Sequence, residues 1–309
     1  MIIYFQETIK LEIADLRSFL VIARSSNLRA AASELHQSAS ALSKAIRRLE
    51  TSLNTAVFDR IGKTIRLNGQ GERLRQRALE LVALADQTRA DFRGAHPNLH
   101  CRVVGPVVLQ WRFGTLLAAL LSSQQPGSGI AFVTHHEDAA LGALARGEAD
   151  FALVTQSAIQ STLPVGLQSQ ALGSITMQLA ASATHALAFA SQQRGLTTAE
   201  ILMHDFACPQ RAFFCGMERG ARSDGWRDDQ LPRRVRFWID DLSLLIALVR
   251  SGQALAYLPD FVLIDSALTR IKLLDCPYEC VESVFLVWRV LGADGWQNRL
   301  VGALSKPSL

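Results

Sequence analysis

No run of about 18 uninterrupted apolar residues occurs anywhere in the 309-residue chain. The best candidate, Leu242–Leu258, is broken by Arg250 and Gly252, so no membrane span or membrane partner is expected. The opening MIIYFQETIK lacks a basic leader and a small-residue cleavage site, which argues against a signal peptide and for the cytoplasm. Nucleophile elbow, phosphate-binding loop and HExxH are absent too, leaving an enzyme acting on a small molecule as only a remote alternative. Five cysteines (Cys101, Cys208, Cys215, Cys276, Cys280) contain no CxxC pair, which removes support for structural zinc. Their odd number in a presumed cytosolic chain argues against a disulfide framework. The run His135-His136-Glu137-Asp138 invites a metal. Neighbours at a strand end point to opposite faces and do not converge on one ion. No catalytic residue, metal or cofactor is therefore expected.

What is present is a globular composition, 49% hydrophobic and 19% charged, in a chain long enough for two or three domains. The formal charge of +4 is unevenly placed: residues 1–95 carry +5 and residues 96–309 carry −1. A basic amino-terminal module on a neutral body points to an anionic partner for that module alone.

Within the basic third, Leu16, Phe19, Leu20 and Ala23 mark one helix. Asn27 is placed to cap a second, Leu28–Leu35, and Ser38 a third running from about Ala39 to Leu53. In the third, Leu42, Ile46, Leu49 and Leu53 form one stripe, and Ser40, Lys44, Arg47 and Thr51 occupy the opposite face. Three short helices with a tight turn before the last describe a helix-turn-helix, whose last helix enters a major groove. Val57–Arg60 and Thr64–Leu67 flank Gly62-Lys63 as a wing. There Arg60, Lys63 and Arg66 would gain affinity by displacing counterions from phosphate. From Gly71 on, Leu74, Ala78, Leu81, Ala85, Thr88 and Phe92 form a heptad seam within a highly charged helix, the pattern of a two-chain coil.

The stretch Leu16–Gly71 resembles the DNA-binding domain of LysR-type transcriptional regulators. The matching segments are DLRSFLVIARSSNLRAAASELHQSASALSKAIRRLE and LNTAVFDRIGKTIRLNGQGERL. Phe19, Ala31-Ala32, Leu35, Ser43, Ile46, Leu49-Glu50, Leu53, Phe58, Arg60 and Gly71 fall in the family's order. Ala39-Ser40 stands where the family usually has Gln-Pro, and Asn54 where it has Gly. Alanine offers a base only an apolar contact, whereas asparagine tolerates a left-handed cap. The resemblance implies DNA contacts from Asn27, Arg29, Ser38, Ser40, Ser43, Lys44, Arg47, Arg48, Arg60, Lys63 and Arg66. It also implies a dimer or tetramer joined through the linker helix, a pseudo-palindromic double-stranded operator, and RNA polymerase as a further partner.

Beyond residue 95, short apolar runs alternate with helical stretches in a βαβαβ order. RVVGP, LARGEADFALV, ASATHAL, IDDLSLLIALVRSGQALAYLP and SVFLVW resemble the family's effector half. The expected class is α/β: a winged helix-turn-helix (1–70), a linker helix (71–95), and two Rossmann-like lobes of periplasmic-binding-protein type (100–309). Lobe I takes 100–165 and 270–309, and lobe II takes 166–269, with crossings near Leu163–Leu167 and Leu268–Ile271. Strands are expected at Ser174–Ala181, Ile201–His204, Phe206–Cys208, Val235–Ile239 and Leu255–Tyr257.

Ligands of such folds sit at strand carboxyl ends between lobes. Pro106, Val107, Leu109, Thr134, Thr155, Gln156, Cys208 and Pro209 are the candidate effector contacts. GPVVLQW replaces the usual serine or threonine after the first strand, which implies a less anionic or more apolar effector, or a modified pose. Cys208 and Cys215 offer an alternative, a redox-switched regulator of the same family.

Overall fold

The computed structural model describes residues 11–25, 27–61, 64–93, 100–160, 163, 166–217, 224–289 and 296–304. The first three helices are α1 (Ile13–Arg24), α2 (Leu28–Glu34) and α3 (Ala39–Ser52). Their stripes meet in one core of Leu16, Phe19, Ile22, Ala31, Leu42, Ile46 and Leu49. Asn27 accepts the Ala30 N–H and Ser38 the Ala41 N–H, so both expected caps form. The turn after α2 needs His36 at φ 52°, and Asn54, after α3, stands at φ 47°. Asparagine thus takes the left-handed position expected of it. The Glu50 carboxylate accepts the Val57 N–H at 3.0 Å and ties α3 to the wing strands β1 (Phe58–Ile61) and β2 (Thr64–Leu67), which pair antiparallel.

Helix α4 spans Gly69–Arg93 and is capped by the Asn68 side chain, which accepts the Gly71 N–H. Its expected seam splits. Of the seam residues, Ala78 is fully buried in the trihelical core with Leu74 packed against it, whereas Leu81 is exposed; beside the seam, Val82 packs inward and Leu84 is exposed. The first half of the stripe therefore serves its own domain, packed on the trihelical core.

The remaining chain forms β3 (His100–Gly105), α5 (Val107–Gln124), β4 (Gly129–Thr134), α6 (Glu137–Ala145), β5 (Phe151–Thr155), α7 (Gln156–Gln160) and β6 (Leu167–Ser182). It continues through α8 (Ala186–Arg194), α9 (Thr198–Leu202), β7 (Asp205–Cys208), β8 (Arg234–Trp238), α10 (Leu242–Arg250) and β9 (Ala256–Pro259). The last elements are α11 (Asp260–Asp265), β10 (Leu268–Arg270), β11 (Val281–Arg289) and α12 (Trp296–Leu304). Lobe I has the order β4-β3-β5-β11-β6, with β3 parallel to both neighbours and β11 antiparallel to β5. In lobe II the second half of β6 pairs β9 and β10. β7 pairs β8 and is bridged from Phe206 to Leu255, the residue before β9.

One strand thus serves both lobes. Leu167–Thr176 pairs with β11 and Met177–Ser182 with β9 and β10, so the outgoing crossing lies inside β6. The expected crossing at 163–167 is ten residues too early, because a strand apolar at one end and half-exposed at the other reads as two elements. Leu273 still bridges Leu196 of lobe II, which puts the return after 270 as well. The expected strand Ile201–His204 is instead the end of α9: Thr197 and Glu200 form a capping box that starts a helix there.

Candidate functional site

Two surfaces carry the candidate residues. On the first, α3 presents Ser40, Lys44 and Arg47 to solvent, with Arg29 on α2 and Arg66 on β2 also exposed. Lys44 and Arg47 have no ion pair among the described residues. Ser43 is half-buried, and Ala39 is drawn partly inward against the trihelical core. Asn27 and Ser38 use their side-chain oxygens as caps. Arg48 is committed elsewhere: Nε and Nη2 donate to the two carboxylate oxygens of buried Asp15 at 3.0 and 2.5 Å. That hydrogen bond and charge hold the Arg48 guanidinium above its usual range. Arg48 is therefore a strut between α1 and α3. The side chain of Arg60 and all of Lys63 lie outside the described residues.

The second surface is a cleft of about 370 Å³ between the lobes. Glu137, Thr155, Ser157 and Glu282 line it from lobe I, Phe214, Cys215, Asp224 and Arg227 from lobe II, and Tyr278 from the return segment. Glu137 opens α6 and accepts the Thr155 N–H at 2.6 Å, while its own N–H donates to the Phe214 carbonyl across the cleft at 3.2 Å. The loop bearing Phe214 is held by the Asp240 carboxylate, which accepts the Gln210 and Arg211 N–H groups. Gly216 (φ 68°) lies flat on the His136 ring, where a Cβ would come within 2.3 Å. Arg227 pairs with Asp229 and stacks over Tyr278 at 5.0 Å.

Behind the cleft lies a buried polar lock. The Arg233 side chain has no exposure and donates to both oxygens of Asp224, at 2.7 and 3.0 Å, and to Asp228. Burial alone would lower its pKa, but the hydrogen bonds and charges of Asp228 and Asp224 outweigh that and hold it above the usual range. The Cys208 thiol donates to Asp224 at 3.3 Å.

Of the eight expected effector contacts, only Thr155 lines this cavity. Leu109 and Cys208 are at zero exposure, Pro106 and Pro209 are buried, Gln156 is half-buried, and Val107 and Thr134 face solvent. For the residues after β3 and β4, the reason lies in Gln110. Its amide donates to the Gly105 and Val133 carbonyls at 2.7 and 2.8 Å and plugs the carboxyl ends of β3 and β4. The cleft residues missed from sequence include Glu137, Tyr278 and Glu282. Glu137 sat in the HHED run, where a metal was weighed and a lone cleft carboxylate was not. Tyr278 and Glu282 reach the site through long-range pairing that no local motif marks. Among the described residues no group of three His, Cys, Asp or Glu is arranged to hold a metal.

All five cysteines are free, and Cys208 is locked to Asp224 while Cys215 faces the cleft. Peroxide treatment of the native protein is expected to yield no Cys208–Cys215 disulfide. Mass mapping after thiol blocking checks this, and a linked peptide pair in good yield would refute it.

Residues 13–72 match the bacterial regulatory helix-turn-helix protein, lysR family, and residues 97–293 match the LysR substrate binding domain. The chain belongs to the LysR family. It is similar to an uncharacterized regulator in the ibpB-leuC intergenic region of Azotobacter vinelandii, 33% identical over 93 residues. That match covers 30% of this chain and 65% of the relative, so the chain spans just under two thirds of it. DgdR of Burkholderia cepacia is 29% identical over 246 residues, 80% of this chain and 77% of that protein. The fold matches ArgP of Mycobacterium tuberculosis, with a TM-score of 0.65 at 17% identity over 96% of each chain. A LysR-family helix-turn-helix domain is thus joined to a two-lobed substrate-binding domain. Among the described residues no helix is long and apolar enough to cross a membrane.

Proposed function

We propose that this chain is a DNA-binding transcriptional regulator, with α3 lying in the major groove and a small molecule in the interlobe cleft setting its state. The observation that carries this is the outer face of α3. Ser40, Lys44 and Arg47 stand exposed along a doubly anchored helix, held by the Ser38 cap and the Arg48–Asp15 strut. A helix so held presents its base-reading side chains in one orientation. The wing adds Arg66 beside the groove, where a cation contributes affinity without sequence preference. Exposed Leu81 and Leu84 on α4 supply an apolar stripe for a second copy, and a dimer would present two α3 helices to two half-sites. A ligand bound across the lobes shifts the regulator only by binding its two states unequally.

The test is fluorescence anisotropy of the full chain on an operator fragment recovered by genomic selection. Lys44→Ala and Arg47→Ala are each expected to weaken binding by about 1–3 kcal/mol, or roughly 5- to 150-fold, if they contact base edges. A phosphate contact would instead flatten the salt dependence by about one unit of slope. Unchanged affinity and unchanged salt slope in both variants would remove α3 as the reading helix.

A further inference from the structure

Charge in the cleft is lopsided. Among the described residues, Glu137, Asp224, Glu279 and Glu282 line it against one basic residue, Arg227. Two of these charges are already answered from within the fold: Asp224 by Arg233, and Arg227 by Asp229. Glu137 and Glu282 are not. Neither has an ion pair among the described residues, and Glu137 is only 3% exposed. Among the described residues the Glu137 side chain makes one hydrogen bond, from the Thr155 N–H to one carboxylate oxygen. A carboxylate this deep normally has a cation against it, because desolvating an unpaired charge is costly. Burial and the Glu137 charge together hold the Glu282 carboxyl above its ordinary range. An anionic ligand would add a third like charge, and a purely apolar one would leave both carboxylates unanswered.

We propose that the cleft takes an organic cation, an amine or guanidinium compound whose charged group sits between Glu137 and Glu282. This rests on the reading of the cleft as the effector site. The volume of about 370 Å³ suits a compact molecule. Phe214 and Tyr278 line the same space with aromatic surface that tolerates an adjacent cation, and Tyr278 already carries one in Arg227 on its ring. The Glu137 N–H to Phe214 carbonyl bond crosses the cleft at this point, so a cation here would be enclosed by both lobes.

The experiment is thermal unfolding of the full chain with putrescine and agmatine, set against glutarate and 1,4-butanediol of similar size. Either cation is expected to raise the midpoint by roughly 5 °C at a hundredfold excess over its Kd, and the other two compounds to leave it unmoved. Glu282→Gln should lose the response. Glu282→Lys tethers an ammonium beside Glu137; it should raise the midpoint without ligand and abolish the response to both cations. Stabilisation by glutarate, absence of a shift with both cations, or a Glu282→Lys midpoint below wild type would each overturn the charge assignment. Operator anisotropy on the same samples separates the two levels of argument. If the cations fail while DNA binding is intact, the charge assignment alone falls; if the wild type binds no DNA, the regulator reading falls with it.

Discussion

Replacing Arg233 with alanine is expected to destabilise lobe II by about 3–5 kcal/mol, the cost of breaking a buried ion pair from one side. The guanidinium is fully enclosed, meets Asp224 and Asp228, and lies 5.6 and 5.5 Å from the Phe206 and Trp226 rings. Alanine would leave Asp224, whose side chain has no exposure, as an uncompensated buried charge beside a cavity. Arg233→Met keeps most of the volume but not the charge, so it should be nearly as damaging. Adding Asp224→Asn and Asp228→Asn to it should recover a large part of the loss, since no net charge then stays buried. Urea unfolding followed by tryptophan fluorescence reads this, because Trp226, one of the five tryptophans, is 4% exposed and abuts the lock. A loss under about 1 kcal/mol for Arg233→Ala would mean that the lock is screened by solvent.

The second large effect belongs to Gly71. A Cβ at this position would lie 2.1 Å from the Val57 carbonyl oxygen and 2.6 Å from a Leu67 methyl. The first of these is backbone and cannot rotate away. Gly71→Ala should therefore wedge α4 off the wing, at a cost of about 1–3 kcal/mol from overpacking. The same wedge tilts the reading head against the linker, so operator affinity should fall although no DNA contact is touched. Gly69→Ala two residues earlier has open space around it and serves as the control. Equal stability of the two alanine variants would refute the close-packing argument.

Much of the DNA-binding half was legible because its signals are local. The 4-3-4 spacing of Leu42, Ile46, Leu49 and Leu53, the caps at Asn27 and Ser38, and the left-handed Asn54 are each decided by a few adjacent residues. Arg48 was placed among the DNA contacts by the resemblance, not by the outer face of α3. Only the fold brings Asp15, 33 residues earlier, against it. In the second half the strand-helix alternation was legible, but the cleft was not. Glu137, Tyr278 and Glu282 are separated in sequence and meet through β11 pairing beside β5 and β6. Gln110 illustrates the limit: a glutamine in an apolar helix gives no sign that it will fill the strand ends expected to hold a ligand.

The sixteen-residue strand β6 belongs to both sheets, with its change of partners between Thr176 and Met177. Just before that point its ladder with β11 slips register at Val284–Phe285, opposite Ala171 and Gly173, where β6 takes φ 138° at the glycine. A beam clamped at both ends deforms where its bracing is interrupted. Any change in the angle between the lobes therefore has to be taken up along β6 and along the return segment after Arg270, the two places where the chain passes from one sheet to the other.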